Sequence, residues 1–401
     1  MSVFKLPQLN ISPAVRRAAG FMFLLLAIEF LDELVFGAEE AAWPLIRDDL
    51  HLTYWQIGLL LGLPNFLANF VEPFIGILGD VWKRRVLVVG GGVFFTLALL
   101  LTGVAHSFPV LLIAFVLFAP ASGAFVSLSQ ASLMDSDPQR HEQLMARWTL
   151  AGSLGVVAGP LALGAALWLG LGWRGLFLTF TVLALALVAL AWPQRFPNGH
   201  GEEASDLLAG LRTGWRNALI ALRRREVWRW LILLEFSDFM LDILLGFLAL
   251  YVVDVAGGSP EQGALAVAVW SGFGLLGDAL FIPLLEKVRG LNYLRFSAWV
   301  MFGLYVVFLL LPTFWAKLIL LALMGLFNSG WYAILQGRLY SAMPGQSGTV
   351  MAVGSVFGLG AALVPTLLGV VAESYGLNVT MWLLLLGPIV LLVGLPRASA
   401  K

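Results

Sequence analysis

Glu29-Phe30-Leu31-Asp32-Glu33 interrupts the first long apolar stretch of the chain, which covers about residues 18–43. A helix rises ~1.5 Å per residue, so Glu29 lies about 16 Å in, near the middle of a ~30 Å hydrocarbon core. Glu29, Asp32 and Glu33 are spaced i, i+3, i+4 and share one helical face. Ionised groups inside a membrane helix cost a few kcal/mol each, and like charges one turn apart repel. No Lys or Arg lies inside the stretch to offset them. Carboxylates kept at that depth face a water-filled cavity or a buried polar network, and each is a candidate functional group.

The same letters return. Glu235-Phe236-Ser237-Asp238 sits in another apolar stretch, 206 residues after Glu29-Phe30-Leu31-Asp32. The offset also pairs Glu72 with Asp278, Asp80 with Glu286 and Gln130 with Gln336. Polar residues are scarce in these stretches, so shared spacing marks an internal repeat of two similar halves.

Composition agrees with a membrane protein. The chain has 401 residues, 60% hydrophobic and 12% charged, with mean hydropathy +0.90, where a soluble domain carries about 25% charged residues. Net charge is zero, which points away from nucleic acid. There is no cysteine, so disulfides and thiolate metal sites are excluded. Residues 1–17 lack the apolar core and cleavage site of a signal peptide, so the first stretch is expected to remain as a membrane helix.

The fold expected is all-α: twelve transmembrane helices in two pseudo-symmetric six-helix bundles. The first six spans fall near 18–43, 54–79, 86–106, 108–133, 145–170 and 173–193. The second six fall near 228–254, 262–286, 293–312, 314–340, 348–372 and 377–396. Residues 1–193 form one bundle, 194–227 a linker and 228–401 the other. Pro193, Pro197, Asn198 and Gly199 break the helix that precedes the linker. The linker's Leu207, Leu211, Trp215, Leu219 and Leu222 recur near helical spacing beside Arg212, Arg216 and Arg223-Arg224-Arg225, the pattern of a surface-lying helix or of a solvated linker. With the N-terminus inside, all of the 24 Lys and Arg except Arg47, Arg174 and Lys317 fall on the inner side. The expected place is therefore a cell (inner or plasma) membrane, with both termini cytoplasmic.

Gly76-Ile77-Leu78-Gly79-Asp80-Val81-Trp82-Lys83-Arg84-Arg85 lies between spans two and three. It resembles the loop signature of the major facilitator superfamily, a Gly-x-Leu-x-Asp followed by basic residues; Val81 and Lys83 depart from the consensus. The repeat copy retains Leu284, Glu286, Lys287 and Arg289. The resemblance implies alternating access, with the halves rocking about a central cavity and Gly76, Asp80, Arg84 and Arg85 forming a cytoplasmic latch. The basic run also sets topology by itself. In span five, Gly155-x-x-x-Gly159-Pro160 loosely resembles a motif of the proton-coupled drug and cation antiporters of that family. Small residues at that spacing also serve plain helix packing. Ala146 and Ala119 stand where those antiporters carry a glycine and an arginine.

In that architecture spans 1, 4, 7 and 10 line the cavity. The coupling candidates are Glu29, Asp32, Glu33, Glu235, Asp238 and Asp242, the last three again on one helical face. The lining candidates are Phe30, Asn65, Asn69, Glu72, Gln130, Phe236, Asp278, Asn328, Tyr332 and Gln336, with Glu39 and Glu40 toward the outer mouth. Crowded carboxylates in a low dielectric need positive charge, as protons or as a bound cation. Anionic cargo calls for Arg or Lys, which this region lacks. A cationic or amphipathic molecule fits, held by carboxylates and aromatic faces such as Trp270 and Trp331. A hard divalent metal on Glu29, Asp32, Glu235 and Asp238 is the alternative, and a non-transporting receptor or scaffold on the same fold is a third reading. No nucleotide-binding Gly-x-x-x-x-Gly-Lys-[Ser/Thr] loop is present, and no nucleophile–base pair, so neither an ATP-driven pump nor an enzyme is expected. The expected partners are a small-molecule or ion substrate, protons (or sodium) and the bilayer, with no cofactor and a monomeric chain.

Overall fold

The structure, a computed structural model, describes residues 13–81, 83–137, 141–196, 220–285, 288–343 and 347–396. The described residues are helical, with no strand among them. The first half holds α1 (Pro13–Leu50), α2 (Tyr54–Val81), α3 (Arg84–Gly103), α4 (Phe108–Ser136), α5 (His141–Trp168) and α6 (Gly172–Ala191). The second holds α7 (Arg225–Asp254), α8 (Pro260–Leu285), α9 (Gly290–Leu310), α10 (Phe314–Ala342), α11 (Ser347–Ala361 with Val364–Tyr375) and α12 (Leu377–Gly394). Ten helices among the described residues combine membrane-spanning length with high hydropathy. The other two long helices are α1, which carries the carboxylates, and α2. The part of the linker expected to form a surface helix falls on 197–219, outside the described residues.

α1 extends to Leu50, beyond the apolar stretch that ends near Trp43, and its last turns carry Arg47, which pairs with Asp254, and the exposed Asp48 and Asp49. Glu40 is buried and accepts a hydrogen bond from the Trp43 indole at 3.2 Å. Glu40 is thus a buried residue of the cavity wall.

The repeat extends to the helix caps. Thr53 and Gln56 form a reciprocal capping box before α2, with Thr53 N–H on Gln56 Oε1 at 2.9 Å and Gln56 N–H on Thr53 Oγ1 at 3.3 Å. Ser259 and Gln262 repeat it before α8 at the same two distances, 206 residues later.

The distortions repeat as well. α4 carries a π-turn over Gly123–Ser127, and α10 breaks at Ser329-Gly330, with Gly330 at φ +76°. Such a φ is left-handed and suits glycine. α7 is interrupted between Asp238 and Asp242, while α1 runs unbroken through the matching positions.

Two glycine-lined crossings place the helices around the centre. α5 lies on α1: a Cβ at Gly155 would meet the Phe30 carbonyl oxygen at 2.6 Å, and Gly159 abuts the Ala38 amide. α2 of the first half crosses α11 of the second, where a Cβ at Gly58 would meet the Pro365 carbonyl oxygen at 2.6 Å. Small residues let backbones meet this closely. Thr366 Oγ1 donates to the Gly58 carbonyl at 3.0 Å across the same crossing.

Candidate functional site: a two-lobed central cavity

Between the halves lies a cavity of about 840 Å³, bordered by α1, α4, α5, α7, α8 and α10. A second lobe of about 480 Å³ is bordered by α1, α2, α7, α10 and α11. Phe36, Leu241, Asp242 and Tyr332 line both and mark where the lobes meet.

The first lobe receives Asp32 and Glu33 from α1, Asp242 from α7 and Asp278 from α8. Glu33 and Asp242 face this lobe from the two halves. Asp32 is held by Ser122 of α4, whose hydroxyl donates to Asp32 Oδ1 at 2.9 Å. The matching position on α10 is Asn328, whose Nδ2 donates at 2.7 Å to the Met240 carbonyl freed by the break in α7. Asp278 rests against Ser329 and the Gly330 backbone at the break in α10.

The second lobe receives Glu235 and Asp238 from α7, Glu40 from α1, Asn65 and Asn69 from α2, and Gln336 from α10. The Asp238 carboxylate lies near the backbone N–H of Asp242, where the second segment of α7 begins and leaves its first donors open.

Several sequence candidates stand elsewhere. Glu29 borders neither lobe; it is buried between α1 and α5, where a Cβ at Gly152 would meet Glu29 Oε1 at 2.6 Å. Phe30 turns into the packed core, and Phe236 stacks on Phe239 with ring centres 5.0 Å apart. Gln130 donates to the Met145 sulfur at 3.7 Å. Arg84 is buried and paired with Asp135 of α4 at 2.5 Å, and Arg85 lies 6.0 Å over the Trp192 ring. The side chains of Glu72 and Asp80, and the surroundings of Gly76, fall outside the described residues.

Thr149, Ser153 and Ser271 line the first lobe and were not among the candidates. Ser271 precedes Asp278 by seven residues on α8, two turns along the same face, a spacing that the sequence already displays.

Among the described residues, ion pairs lie at helix ends, and none reaches Glu33, Glu235, Asp238 or Asp242. No group of three or more His, Asp or Glu converges to hold a metal ion among them. The end of the molecule away from the termini is tied across the halves. Arg47 pairs with Asp254, Tyr54 Oη donates to Asp254 at 2.6 Å, and the Tyr54 N–H donates to Glu373 at 2.8 Å.

With this geometry in place, comparison with known proteins is informative. A family-wide sequence model described as Major Facilitator Superfamily matches residues 22–358. Two curated proteins of Escherichia coli (strain K12) are similar. One is a fosmidomycin resistance protein, 25% identical over 45% of this chain and 44% of its own length. The other is a probable L-galactonate transporter, 26% identical over 54% of this chain and 49% of its own length. The chain thus spans about half the length of the curated relatives it matches. A bacterial homolog of the human lysosomal transporter Spinster, in an inward-facing and occupied conformation, superposes with TM-score 0.73 at 16% identity, over 96% of this chain and 97% of that one. A point mutant of the nucleoside transporter NupG superposes with TM-score 0.74 at 15% identity, over 93% of this chain and 98% of that one. These two likenesses establish the fold.

Proposed function

Since the chain belongs to the Major Facilitator Superfamily, we propose that it is a secondary transporter working by alternating access, which exchanges protons for a cationic or amphipathic small molecule, outward in the direction of efflux. The family makes it a multi-pass membrane transporter rather than an enzyme. Its relatives are named for differing cargoes, so the cargo reading rests on this cavity.

One observation carries it. Asp32, Glu33, Asp242 and Asp278 share a single lobe, and no Lys or Arg lines it among the described residues. Like charges in a confined, poorly hydrated space require positive charge, whether protons or cargo. Loading a cation therefore displaces protons, and protonation displaces the cation. A lobe that meets each side of the membrane in turn converts this competition into antiport. Phe36, Phe118, Trp270 and Tyr332 in the same wall offer apolar and π faces to an organic cation. A hard divalent metal is served less well, because three converging ligands are missing among the described residues. The distribution of Lys and Arg supports a reading with both termini in the cytoplasm, in which the tied end, with Arg47 and Asp254, faces outside. The chain acts as a monomer in this reading.

The test is proton release from purified protein in weak buffer on addition of a lipophilic organic cation. Protons should appear, and Asp32→Asn and Asp238→Asn should each reduce the number. Cation affinity should rise with pH, because protons compete for the same carboxylates. A flat affinity between about pH 6 and 8 with no proton release removes proton antiport through this cluster; an affinity that then varies with sodium concentration would identify sodium as the coupling ion.

A further inference from the structure

Resting on the cation reading above, we infer that the first lobe selects cations that carry N–H donors, namely protonated primary or secondary amines or guanidinium groups, over quaternary ammonium ions, and that Asn328 and Ser271 read those donors.

Asn328 sits at the end of the first segment of α10 and is only 3% exposed. Its Nδ2 donates to the Met240 carbonyl at 2.7 Å. A carbonyl oxygen only accepts, so this bond fixes the orientation of the amide. Asn328 Oδ1 then has no hydrogen-bond partner among the described residues. Ser271 Oγ, on α8, is likewise buried and unpartnered among them. Both residues line the lobe that holds the four carboxylates. The neighbouring Ser329 is different, since its hydroxyl bonds the Gly274 and Gly325 carbonyls at 3.1 Å each.

A buried acceptor left unpaired is costly, and native proteins rarely keep one without a reason. Here the residue that carries the covered acceptor borders a cavity rich in acceptors and aromatic faces. The missing partner is therefore a donor, and it has to arrive with positive charge. A trimethylammonium group satisfies the carboxylates and the rings but has no hydrogen to offer Asn328. A protonated amine satisfies all three. Asn328 closes the first segment of α10 beside the breaks of α7 and α10, so a small shift of this backbone, with the bond to Met240 kept, brings Oδ1 to the edge of the lobe. Discrimination by an unpaired polar wall group is stronger than discrimination by shape alone.

The experiment uses the full-length protein in detergent and three probes on one skeleton: a phenylalkyl primary ammonium, its N-trimethyl counterpart and the neutral phenylalkyl alcohol. Affinities are read by thermal shift and by competition. The primary ammonium should bind about tenfold more tightly than the trimethyl probe, a gap of about 1.4 kcal/mol. Asn328→Leu and Ser271→Ala should each bring that ratio toward one; Ser271→Ala breaks no hydrogen bond among the described residues, so with it the trimethyl probe should keep its affinity and report intact folding. The wild-type ratio does not depend on either variant. Equal binding of the two cations to the wild type overturns the inference and leaves the cation reading standing, as would follow if water already served the two atoms. A ratio that survives both substitutions overturns the assignment to these residues. Binding of the alcohol alone, or of none of the three, overturns the cation reading and this inference with it.

Discussion

α1 and α7 begin from the same letters, Glu-Phe-x-Asp, yet their surroundings differ. α1 is continuous and lies closely on α5 through Gly152, Gly155 and Gly159. α7 is interrupted at the matching turn and meets its own counterpart of α5, which is α11, only sparingly. α11 leans instead on α2 of the other half. At the positions matching Gly155 and Gly159, α11 has Ala361 and Pro365, and both border the second lobe. The braced helix and the broken one thus divide the work: α1 holds its carboxylates against a rigid neighbour, and α7 presents carboxylates on a segment whose backbone can rearrange. In alternating access as proposed above, α1 is expected to act as the fixed wall and α7 as the moving one.

The largest effect that would test this contrast is on folding. Gly155→Leu should drive a side chain into the α1 backbone and cost about 3 kcal/mol, enough to abolish a monodisperse, cooperatively melting protein. Ala361→Leu, at the matching position, should project into the second lobe and leave the melting temperature within a few degrees. Equal losses by size-exclusion chromatography and thermal melts would erase the distinction between the halves.

Transport comes next. Asp32→Asn and Asp238→Asn should each lower cation-for-proton exchange in proteoliposomes by roughly tenfold or more. The two should differ in kind. Asp32 loses the group fixed by Ser122, so binding should weaken with the helix unchanged. Asp238 stands near the open N–H groups at the start of the second segment of α7, so losing its charge should lower thermal stability as well. Identical stability in the two variants would argue against that role.

A smaller effect is expected at the far end. Arg47 and Asp254 are largely buried and join α1 to α7. Arg47→Ala should shift the population toward opening at that end by roughly tenfold, and exchanging the two residues should restore it. The natural chain has no cysteine. A cysteine pair placed in the turns after Leu50 and after Asp254 can therefore carry spin labels that read the distance directly. A distance distribution unchanged in Arg47→Ala would remove this pair from the gate.

The smallest effect concerns the loop signature. Asp80→Asn should lower turnover about threefold while leaving cargo affinity unchanged, since a charge-assisted contact is lost in one of two states. Unchanged turnover would leave Arg84, paired with Asp135 inside its own half, as a purely structural part of the run.

Much of the site was legible because its signals are local. Asp32, Glu33, Asp238 and Asp242 all reach the lobes, as their helical spacing suggested, and Asn328, Tyr332 and Gln336 line them. Glu29 was not separable from Asp32 by spacing, since both lie on one helical face; the wedge of Gly152 against its carboxylate is a contact between helices some 120 residues apart in sequence. Ser271 could have been found from its seven-residue spacing to Asp278, and the caps at Thr53 and Ser259 from the same offset that revealed the repeat.

Long apolar runs, their number, the basic residues between them and a repeat at 206 residues determined a helical membrane protein in two like halves, because hydrocarbon leaves the backbone few alternatives. Local spacing also determined which faces carry charge. Only the tertiary structure decided that α7 breaks where α1 does not, that α5 braces one and α11 leaves the other, that Glu40 is enclosed, and that Asn328 keeps an unpaired oxygen beside the cavity. The reason is that these features depend on which backbone stands opposite. Two halves with the same letters meet different neighbours, and it is the neighbour that determines whether a polar group is satisfied, buried or left facing the cargo.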